Sequence, residues 1–250
     1  MIPIKTPSEL DAMRRVNQMT ARVRDELAAM VSPGITTLDL GNAAFKLIRG
    51  LGGTSAFYGY HGFPGQICVS VNDEVIHGIP GRRVIKEGDI VSIDVGITYE
   101  GFIGDCAVTV AAGEIDGEKN KLMEISKAAL EAGIAKAVAG NRLGDISHAV
   151  QTVAEAAGFS VVREFVGHGI GREMHEEPQI PNFGKPGRGP KLKPGMTLAI
   201  EPMINAGIAK VEVLEDGWTA VTADGRPSAH FEHTVAVGVI EPEILTLSYS

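Results

Sequence analysis

The chain has 250 residues, of which 44% are hydrophobic and 22% charged, with a formal net charge of −8. These values are typical of a globular protein and exclude both a disordered chain and a broad nucleic-acid-binding surface, which needs clustered Lys and Arg. We expect no secretory signal and no membrane span, because the chain has no apolar run of the required kind. Its two cysteines, Cys68 and Cys106, favour a reducing compartment, the cytoplasm, over a disulfide framework.

The first part of the chain predicts two helices followed by strands. Ser8 is the expected N-cap of the first helix, whose apolar residues recur at helical spacing as far as Met30. A second helix is predicted from Thr37 to about Gly52. Short apolar runs then indicate strands, at residues 67–71, 90–95 and 107–110.

The same order of elements returns after Gly117. A third helix is predicted to about Ala139, and a fourth from Leu143 to near Gly158. Strands are predicted at residues 197–200, 211–214 and 234–239. The chain therefore reads as one catalytic domain, residues 1–250, built from two similar halves of about 1–116 and 117–250, each with the order helix–helix–strands.

Internal sequence matches support this duplication. Residues 85–94 (IKEGDIVSID) align with residues 192–201 (LKPGMTLAIE) at an offset of 107. Further pairs lie at offsets of 106 or 107: Gly34 with Gly140, Asp39 with Asp145, Gly52 with Gly158, and His61-Gly62 with His168-Gly169. DCAVTV from Asp105 resembles EHTVAV from Glu232 at an offset of 127, so about 20 extra residues are predicted between the acidic strands of the second half.

The duplication pairs four carboxylates, Asp94 with Glu201 and Asp105 with Glu232. Each lies in or beside an apolar strand segment, where an ionised carboxylate is costly to bury and like charges repel. Only a cation makes such a cluster tolerable. His168, between glycines in FVGHGIG, adds an imidazole, and mixed carboxylate and imidazole ligands suit divalent transition ions. The sequence therefore predicts a metal site.

Several segments make the chain resemble the type I methionine aminopeptidases over essentially its whole length. They are YHGFPGQICVSVNDEVIHGIP, SIDVG, GDCAVT, FVGHGIGREMHEEPQIPNFG, GMTLAIEPM and FEHTVAV. The resemblance implies an α+β pita-bread fold, in which two pseudo-twofold-related helix–helix–strand halves surround a central antiparallel sheet. It also implies metal-dependent hydrolytic removal of the initiator methionine from nascent proteins when the second residue is small.

The family uses two Asp, one His and two Glu as ligands to two divalent ions, and all five residues are present. By the resemblance, one ion is held by Asp105, His168, Glu201 and Glu232, and the other by Asp94, Asp105 and Glu232. Cobalt, manganese, iron, zinc and nickel all suit such ligands. A monovalent cation is also implied near the backbone of Asn72, Glu74 and Ser228.

The resemblance also implies roles in catalysis and substrate binding. Glu201 would move protons, His175 would stabilise the oxyanion, and His77 would contact the scissile amide. The residues expected around the substrate methionine are Tyr60, His61, Phe63, Cys68, His77, Met174, His175 and Trp218. Met174 departs from the family, which commonly has an aromatic residue there. His230 would share a strand face with Glu232, which leaves a metal-adjacent role open without assigning it, whereas His148 lies on a helix and is expected to be exposed or packed.

The implied partners are nascent polypeptide N-termini, with a transient ribosome contact, no membrane, no specific nucleic acid and a monomeric state. Three rival functions fit the sequence less well. Aminopeptidases P and prolidases, which cleave before or after proline, are also pita-bread peptidases but normally carry a separate N-terminal domain. Type II methionine enzymes carry a long insertion before the last glutamate, whereas 31 positions separate Glu201 from Glu232. A non-catalytic binding relative would have lost ligands, and none is lost.

Overall fold

Four α-helices and fifteen mostly short strands form residues 2–248, the part of the chain that the computed structural model describes. The helices are α1 (Pro7–Met30), α2 (Thr37–Gly50), α3 (Gly117–Ile134) and α4 (Leu143–Ala156). The strands of the first half are β1 (Thr54–Ser55), β2 (Cys68–Val71), β3 (Glu74–Ile76), β4 (Asp89–Tyr99) and β5 (Phe102–Ala112). Those of the second half are β6 (Ser160–Val161), β7 (Gly167–Gly169), β8 (Glu176–Ile180), β9 (Thr197–Ile200), β10 (Met203–Asn205), β11 (Val211–Val213), β12 (Ala220–Thr222), β13 (Ser228–His230), β14 (His233–Ala236) and β15 (Glu243–Ile244).

The N-terminus of α1 differs from the prediction. Thr6, not Ser8, is the N-cap: its hydroxyl accepts the Glu9 N–H at 3.3 Å, and the Glu9 carboxylate accepts the Thr6 N–H at 3.0 Å. Pro7 occupies the first helical position, where its fixed φ is favourable and its missing N–H costs nothing. The predicted N-cap at Ser8 was wrong because this reciprocal pair satisfies the first turn two residues earlier.

Several strands and one helix differ in length from the prediction, because backbone pairing sets where they end. β4 and β5 form an antiparallel hairpin eleven residues long on each side, well beyond the apolar runs that predicted them. In contrast, α3 ends at Ile134 and β14 at Ala236, before the predicted ends at 139 and 239. Val138 and Gly238 meet instead in an isolated parallel bridge, which draws both segments out of their regular elements.

Matching features recur in the two halves of the fold. Thr36 bridges Val84 in the first half, and Arg142 bridges Lys191 in the second. Gly34 and Gly140 both take a positive φ, 101° and 97°, after the first helix of their half. The extra residues between Glu201 and Glu232 form β10 to β13. His61 and His168, which align in the sequence repeat, differ in local structure. His61 lies in a short 3-10 helix with φ 48°, whereas His168 lies in β7.

The two halves meet at the strands that carry the acidic residues. Glu232, just before β14, donates its N–H to the Ala107 carbonyl of β5 at 3.0 Å, and the Thr234 hydroxyl donates to the Asp105 carbonyl at 2.8 Å. All strand pairs among residues 2–248 are antiparallel. The antiparallel architecture predicted from the sequence is thereby confirmed.

Helix packing decides which strand face carries the site. Ile93 and Val95 of β4 are fully buried in one apolar cluster with Met13 and Val16 of α1. Because side chains alternate along a strand, Asp94 points to the opposite face. None of the helices within residues 2–248 combines the length and the apolar character needed to cross a membrane.

Candidate active site

The acidic face of the central strands forms the floor of a cavity of about 280 Å³. All five predicted metal ligands and all eight residues predicted around the substrate line it. They are Asp94, Asp105, His168, Glu201 and Glu232, and Tyr60, His61, Phe63, Cys68, His77, Met174, His175 and Trp218. Residues separated by up to 172 positions in the sequence are thus brought to one site.

Asp94 and Asp105 are placed by the β4–β5 hairpin. Asp94 lies opposite Ala107 and Asp105 lies opposite Gly96, so the two acids are diagonal neighbours on one face. Both carboxyls line the same cavity. The turn between β4 and β5 is short, so this register fixes the relative positions of the two acids.

The second half supplies the other three predicted ligands. Glu201 directly follows β9, Glu232 directly precedes β14, and these strands pair antiparallel with Ile200 opposite His233. The ligand atoms of Asp105, His168 and Glu232 lie within 4.8 Å of one another. His168 Nε2 is 3.3 Å from Glu201 Oε1 and 3.9 Å from Asp105 Oδ2.

The His168 ring is held so that one nitrogen faces the carboxylates. Its Nδ1 lies 2.9 Å from the carbonyl oxygen of Gly169, which can only accept, so Nδ1 carries the proton. Burial, the largest cause, lowers the pKa of His168 to about 3, and the ring is therefore neutral. Nε2 is left as an unprotonated donor of a lone pair, the arrangement that metal-binding histidines adopt.

The environment of the carboxyl cluster suits a cation. Burial and the neighbouring carboxylates raise the pKa of Asp105 well above its usual value, and burial also raises the pKa of Glu201 and Glu232. Among residues 2–248 no Lys or Arg forms an ion pair with Asp94 or these three. Three buried carboxylate oxygens have no hydrogen-bond partner in the described part of the chain: Asp94 Oδ1, Asp105 Oδ1 and Glu232 Oε1. A divalent ion fits this donor set, since it would satisfy the orphaned oxygens and offset the repulsion.

His230 lies directly behind the acidic residues. Its Nε2 is 3.8 Å from Glu201 Oε2 and 4.0 Å from Glu232 Oε2, and it has no hydrogen-bond partner within the described chain. Burial lowers the pKa of His230 to about 3, so the imidazole is neutral. His230 is thus adjacent to two of the residues expected to bind metal. His148, on α4, is exposed and does not line the cavity.

One side of the cavity is apolar and aromatic. The Phe63 and Trp218 rings stack edge to face with centroids 5.1 Å apart, and Trp218 comes from the β11–β12 hairpin of the extra segment. Cys68 lies opposite Asp94 in β2, and Met174 is buried on the loop after β7. Thioethers pack well against aromatic edges and sulfur, so this wall suits a methionine side chain.

His175 lies on the rim beside the carboxylates. Its ring centroid is 4.4 Å from that of His168, and its Nδ1 lies 2.7 Å from the Tyr60 hydroxyl. Burial and the nearby His61 lower the pKa of His175, so the ring is neutral near pH 7. Burial and Glu173 raise the pKa of Tyr60, so its phenol keeps its proton. His175 is therefore placed by a hydrogen bond outside the metal cluster.

His77 follows β3 in an unusual backbone conformation. Its φ of 60° is uncommon for a side chain of this size and occurs in strained functional loops. The ring makes edge contacts with Phe165 and Trp218, at centroid distances of 5.5 and 6.4 Å. Burial is the largest cause that lowers the pKa of His77 to about 4. The imidazole is therefore neutral and lines the same cavity as His175.

The three residues predicted near a monovalent cation lie together. Ser228 donates its N–H to the Asn72 carbonyl at 2.9 Å, and the Glu74 carboxylate accepts the Val71 N–H at 2.8 Å. Asn72 has a positive φ of 57°. The Asn72 carbonyl is thus engaged by Ser228, and the cation at this place stays a prediction.

Four further residues line the cavity that the sequence did not single out: Phe57, Ile76, Phe165 and Val166. Ile76 precedes His77, and Phe165 and Val166 precede the glycine of the FVGHGIG motif, so proximity to these motifs was the available signal. No sequence signal marked Phe57, because its position in the cavity depends on the close approach of its ring to Gly96 of β4.

The sequence matches metallopeptidase family M24 over residues 11–238. It is 51% identical over 246 residues to methionine aminopeptidase 1 of Bacillus subtilis, covering 98% of this chain and 99% of the relative. The crystal structure of methionine aminopeptidase from Thermotoga maritima superimposes with a TM-score of 0.97 at 48% identity, covering 98% of this chain and 99% of that one.

More distant structures share the fold alone. The prolidase from Pyrococcus furiosus has a TM-score of 0.79 at 19% identity, and the match covers 99% of this chain but 66% of the prolidase. The pita-bread fold predicted from the motifs is thereby confirmed, and so is the predicted family. The chain belongs to metallopeptidase family M24, within the group of the methionine aminopeptidases.

Proposed function

We propose that this chain is a metal-dependent aminopeptidase that removes the N-terminal methionine from nascent proteins when the second residue is small. One observation carries the proposal. The cavity combines four carboxylates and the free Nε2 of His168 on its floor with an aromatic, sulfur-containing wall at its side. The first part suits cations and a substrate amine, and the second suits a methionine side chain.

We assign two divalent ions to the carboxylates. Asp105, His168, Glu201 and Glu232 would hold one, and Asp94 with Asp105 and Glu232 the other. Bound there, such ions supply a Lewis acid that activates water near neutral pH and polarises a carbonyl oxygen. The orphaned oxygens of Asp94, Asp105 and Glu232 support the assignment, because residues 2–248 provide no hydrogen-bond partner for any of them. Cobalt, manganese, iron, zinc and nickel all suit these ligands.

The chain's own residues would then carry the proton transfers. Glu201 lies within 4 Å of both His168 and His230, at the place where a carboxylate can accept a proton from the attacking water and return it to the leaving amine. His175, with Nδ1 held by Tyr60, turns its Nε2 to donate to the oxyanion. His77, neutral and fixed between Phe165 and Trp218, would hydrogen-bond the scissile amide.

The methionine side chain would lie against Phe63, Cys68, Met174 and Trp218, with Tyr60 and His61 closing the rim. Met174 replaces the aromatic residue that the family commonly has, and its flexible side chain allows the wall to adjust. Trp218 belongs to the segment that only the second half possesses. The substrate pocket would thus combine the repeated framework with one added hairpin.

The domain organisation, oligomeric state and cellular location of the enzyme can be proposed as well. We propose a single catalytic domain over residues 1–250, duplicated as about 1–116 and 117–250, which acts as a monomer in the cytoplasm and contacts the ribosome transiently. The matched bridges and positive-φ glycines of the two halves support the duplication. We also propose a monovalent cation near Asn72, Glu74 and Ser228.

Peptide cleavage after chelation tests the function. The protein would be stripped with a chelator, restored with one divalent ion at a time, and assayed on Met-Gly, Met-Val, Met-Leu and Leu-Gly peptides. We expect metal-dependent cleavage of Met-Gly and Met-Val, weak cleavage of Met-Leu, and little cleavage of Leu-Gly. Preferential cleavage of peptides with proline in the second position would instead assign the chain to aminopeptidase P chemistry.

A further inference from the structure

We propose that the buried ion pair between Lys5 and Glu176 positions His175 for oxyanion stabilisation. The inference rests on the function proposed above. Lys5 and Glu176 do not line the cavity, and neither belongs to the metal cluster. They lie 171 positions apart, in the segment before α1 and at the start of β8.

The pair is short and withdrawn from water. Lys5 Nζ donates to Glu176 Oε2 at 2.5 Å, and the two side chains are 6% and 10% exposed. Most ion pairs of this protein are far more exposed; Arg14 and Glu243, for example, are 37% and 47% exposed. A buried pair gives little net stability because both charges lose their hydration, so its presence calls for another role.

Glu176 also closes the loop that ends at His175. Its Oε1 accepts the Arg172 N–H at 2.9 Å and the Glu173 N–H at 3.5 Å, while Glu176 itself pairs with Gly169 across β7 and β8. The six residues 170–175 are therefore gathered around one carboxylate. His175 is bonded directly to the residue that provides this carboxylate, so any movement of Glu176 moves the imidazole.

Lys5 connects that loop to the rest of the framework. Its N–H donates to the Gly195 carbonyl at 2.8 Å, next to β9, and Thr6 immediately starts α1. Gly171 has no room for a side chain, because an added Cβ would lie 2.5 Å from Glu176 Oε1 and 2.6 Å from Lys5 Cε. The loop is thus closely packed on the Lys5 stem as well as bonded to its ammonium group.

Two contacts consequently fix His175. Tyr60, from the first half of the chain, bonds to the Nδ1 atom of His175. Lys5 anchors Glu176, the next residue in the chain, and thereby holds the backbone of His175. A displacement of a catalytic group by about 1 Å can cost about 10²-fold in rate. Loss of the Lys5 ammonium leaves the Glu176 carboxylate buried without its cation, and the loop should shift toward water.

Epistasis with His175 provides the test. Lys5→Met keeps the apolar stem and removes the charge, and we expect kcat on a Met-Ala peptide to fall about tenfold, with KM and bound metal unchanged. In a His175→Ala background the same change should have no further effect on kcat. Arg14→Met removes a matched but exposed pair and should leave kcat at the wild-type value.

Folding is monitored by thermal unfolding and metal content in each variant. If Lys5→Met does not fold, the neutral pair Lys5→Met/Glu176→Gln replaces it. This pair leaves no buried charge and keeps the bonds to the loop N–H groups, but it still lacks the bond that ties residue 176 to Lys5. We therefore expect a smaller loss of kcat with the same epistasis. Wild-type kcat in the folded variant, or equal losses with and without His175, would overturn the inference. Failure of the wild-type protein to cleave Met-Ala would overturn the proposed function instead.

Discussion

The hydroxyl of Tyr60 lies 2.7 Å from Nδ1 of His175 and thereby joins the two halves of the chain at the rim of the cavity. When the phenol donates to Nδ1, the neutral imidazole carries its proton on Nε2. A neutral imidazole with its proton on Nε2 can donate a hydrogen bond to a developing oxyanion. We propose that Tyr60 selects this tautomer in addition to shaping the pocket.

Tyr60→Phe should reduce turnover without loss of metal. The change removes one hydrogen bond, worth about 1 kcal/mol or roughly fivefold in rate, and keeps the ring. The measurement is kcat on Met-Ala together with metal content. Tyr58→Phe is the control, because Tyr58 is 63% exposed and does not line the cavity. An unchanged kcat in Tyr60→Phe would show that His175 keeps its tautomer without the phenol.

The metal assignment predicts unequal losses among the acidic residues. Asp105→Ala and Glu232→Ala should each remove both ions, because each residue is assigned as a bridge. Asp94→Ala should mainly weaken one site. Elemental analysis of the purified variants measures this, with the exposed Asp11→Ala as a control. Full metal content in Asp105→Ala would contradict the bridging role.

His175→Ala should separate catalysis from metal binding. Loss of one oxyanion donor costs about 10²–10³-fold in turnover, while the carboxylates and His168 keep their ions. Steady-state kinetics and elemental analysis of the same sample give both quantities. A variant that lost its metal would place His175 among the ligands and remove the oxyanion role.

Much of the site could be predicted from the sequence because the strands that carry it are regular. Asp94 and Asp105 lie in apolar strand segments, and the internal repeat relates them to Glu201 and Glu232. The motif around His168 then completed the cluster. The partners that orient the histidines could not be predicted, since Tyr60 reaches His175, and Lys5 reaches Glu176, only through tertiary packing.

The extent of the elements was also set by tertiary contacts. The bridge between Val138 and Gly238 ends α3 and β14, although the sequence favoured longer elements at both places. Trp218 was assigned to the pocket by resemblance alone, because its position depends on the pairing of β12 with β3. That pairing brings Trp218 and His77 to the same side of the cavity.

The stability of the metal-free protein should fall as pH rises above 6.5. Burial raises the pKa of Asp94 to about 7, and raises the pKa of Asp105, Glu201 and Glu232 as well. Each such carboxyl holds a proton in the folded chain that the unfolded chain has released. Stability is therefore lost with rising pH, by about 1.4 kcal/mol per pH unit for each group until its folded pKa is passed.

The histidines do not mask this trend in the chosen window. His168 and His230 are neutral in the folded chain, and above pH 6.5 the unfolded histidines are mostly neutral too. Thermal unfolding after chelation should give a lower Tm at pH 8.5 than at pH 6.5, and added divalent metal should abolish the difference. A higher Tm at pH 8.5 without metal would argue against the buried, proton-sharing carboxylates.

The last prediction concerns the residue that follows methionine in the substrate. The substrate amine and scissile carbonyl are expected at the carboxylate cluster, and His77, held between Phe165 and Trp218, lies close to the amide beyond them. A bulky second side chain would push that amide away from its reactive position, and a displacement of about 1 Å can cost about 10²-fold in rate. Met-Gly and Met-Ala peptides should therefore be cleaved well, and Met-Leu and Met-Lys peptides poorly.

Substitution of His77 separates this steric effect from a loss of affinity. His77→Ala should depress kcat even for Met-Gly, because the positioning contact is gone, whereas metal content should not change. It should also narrow the difference between Met-Ala and Met-Leu, since the space left by the imidazole can take part of a larger second side chain. Competition between the two peptides, followed by mass spectrometry, measures the ratio of their kcat/KM values directly. Equal cleavage of Met-Ala and Met-Leu by the unmodified enzyme would refute the steric account, because it would mean that the amide keeps its position whatever follows methionine.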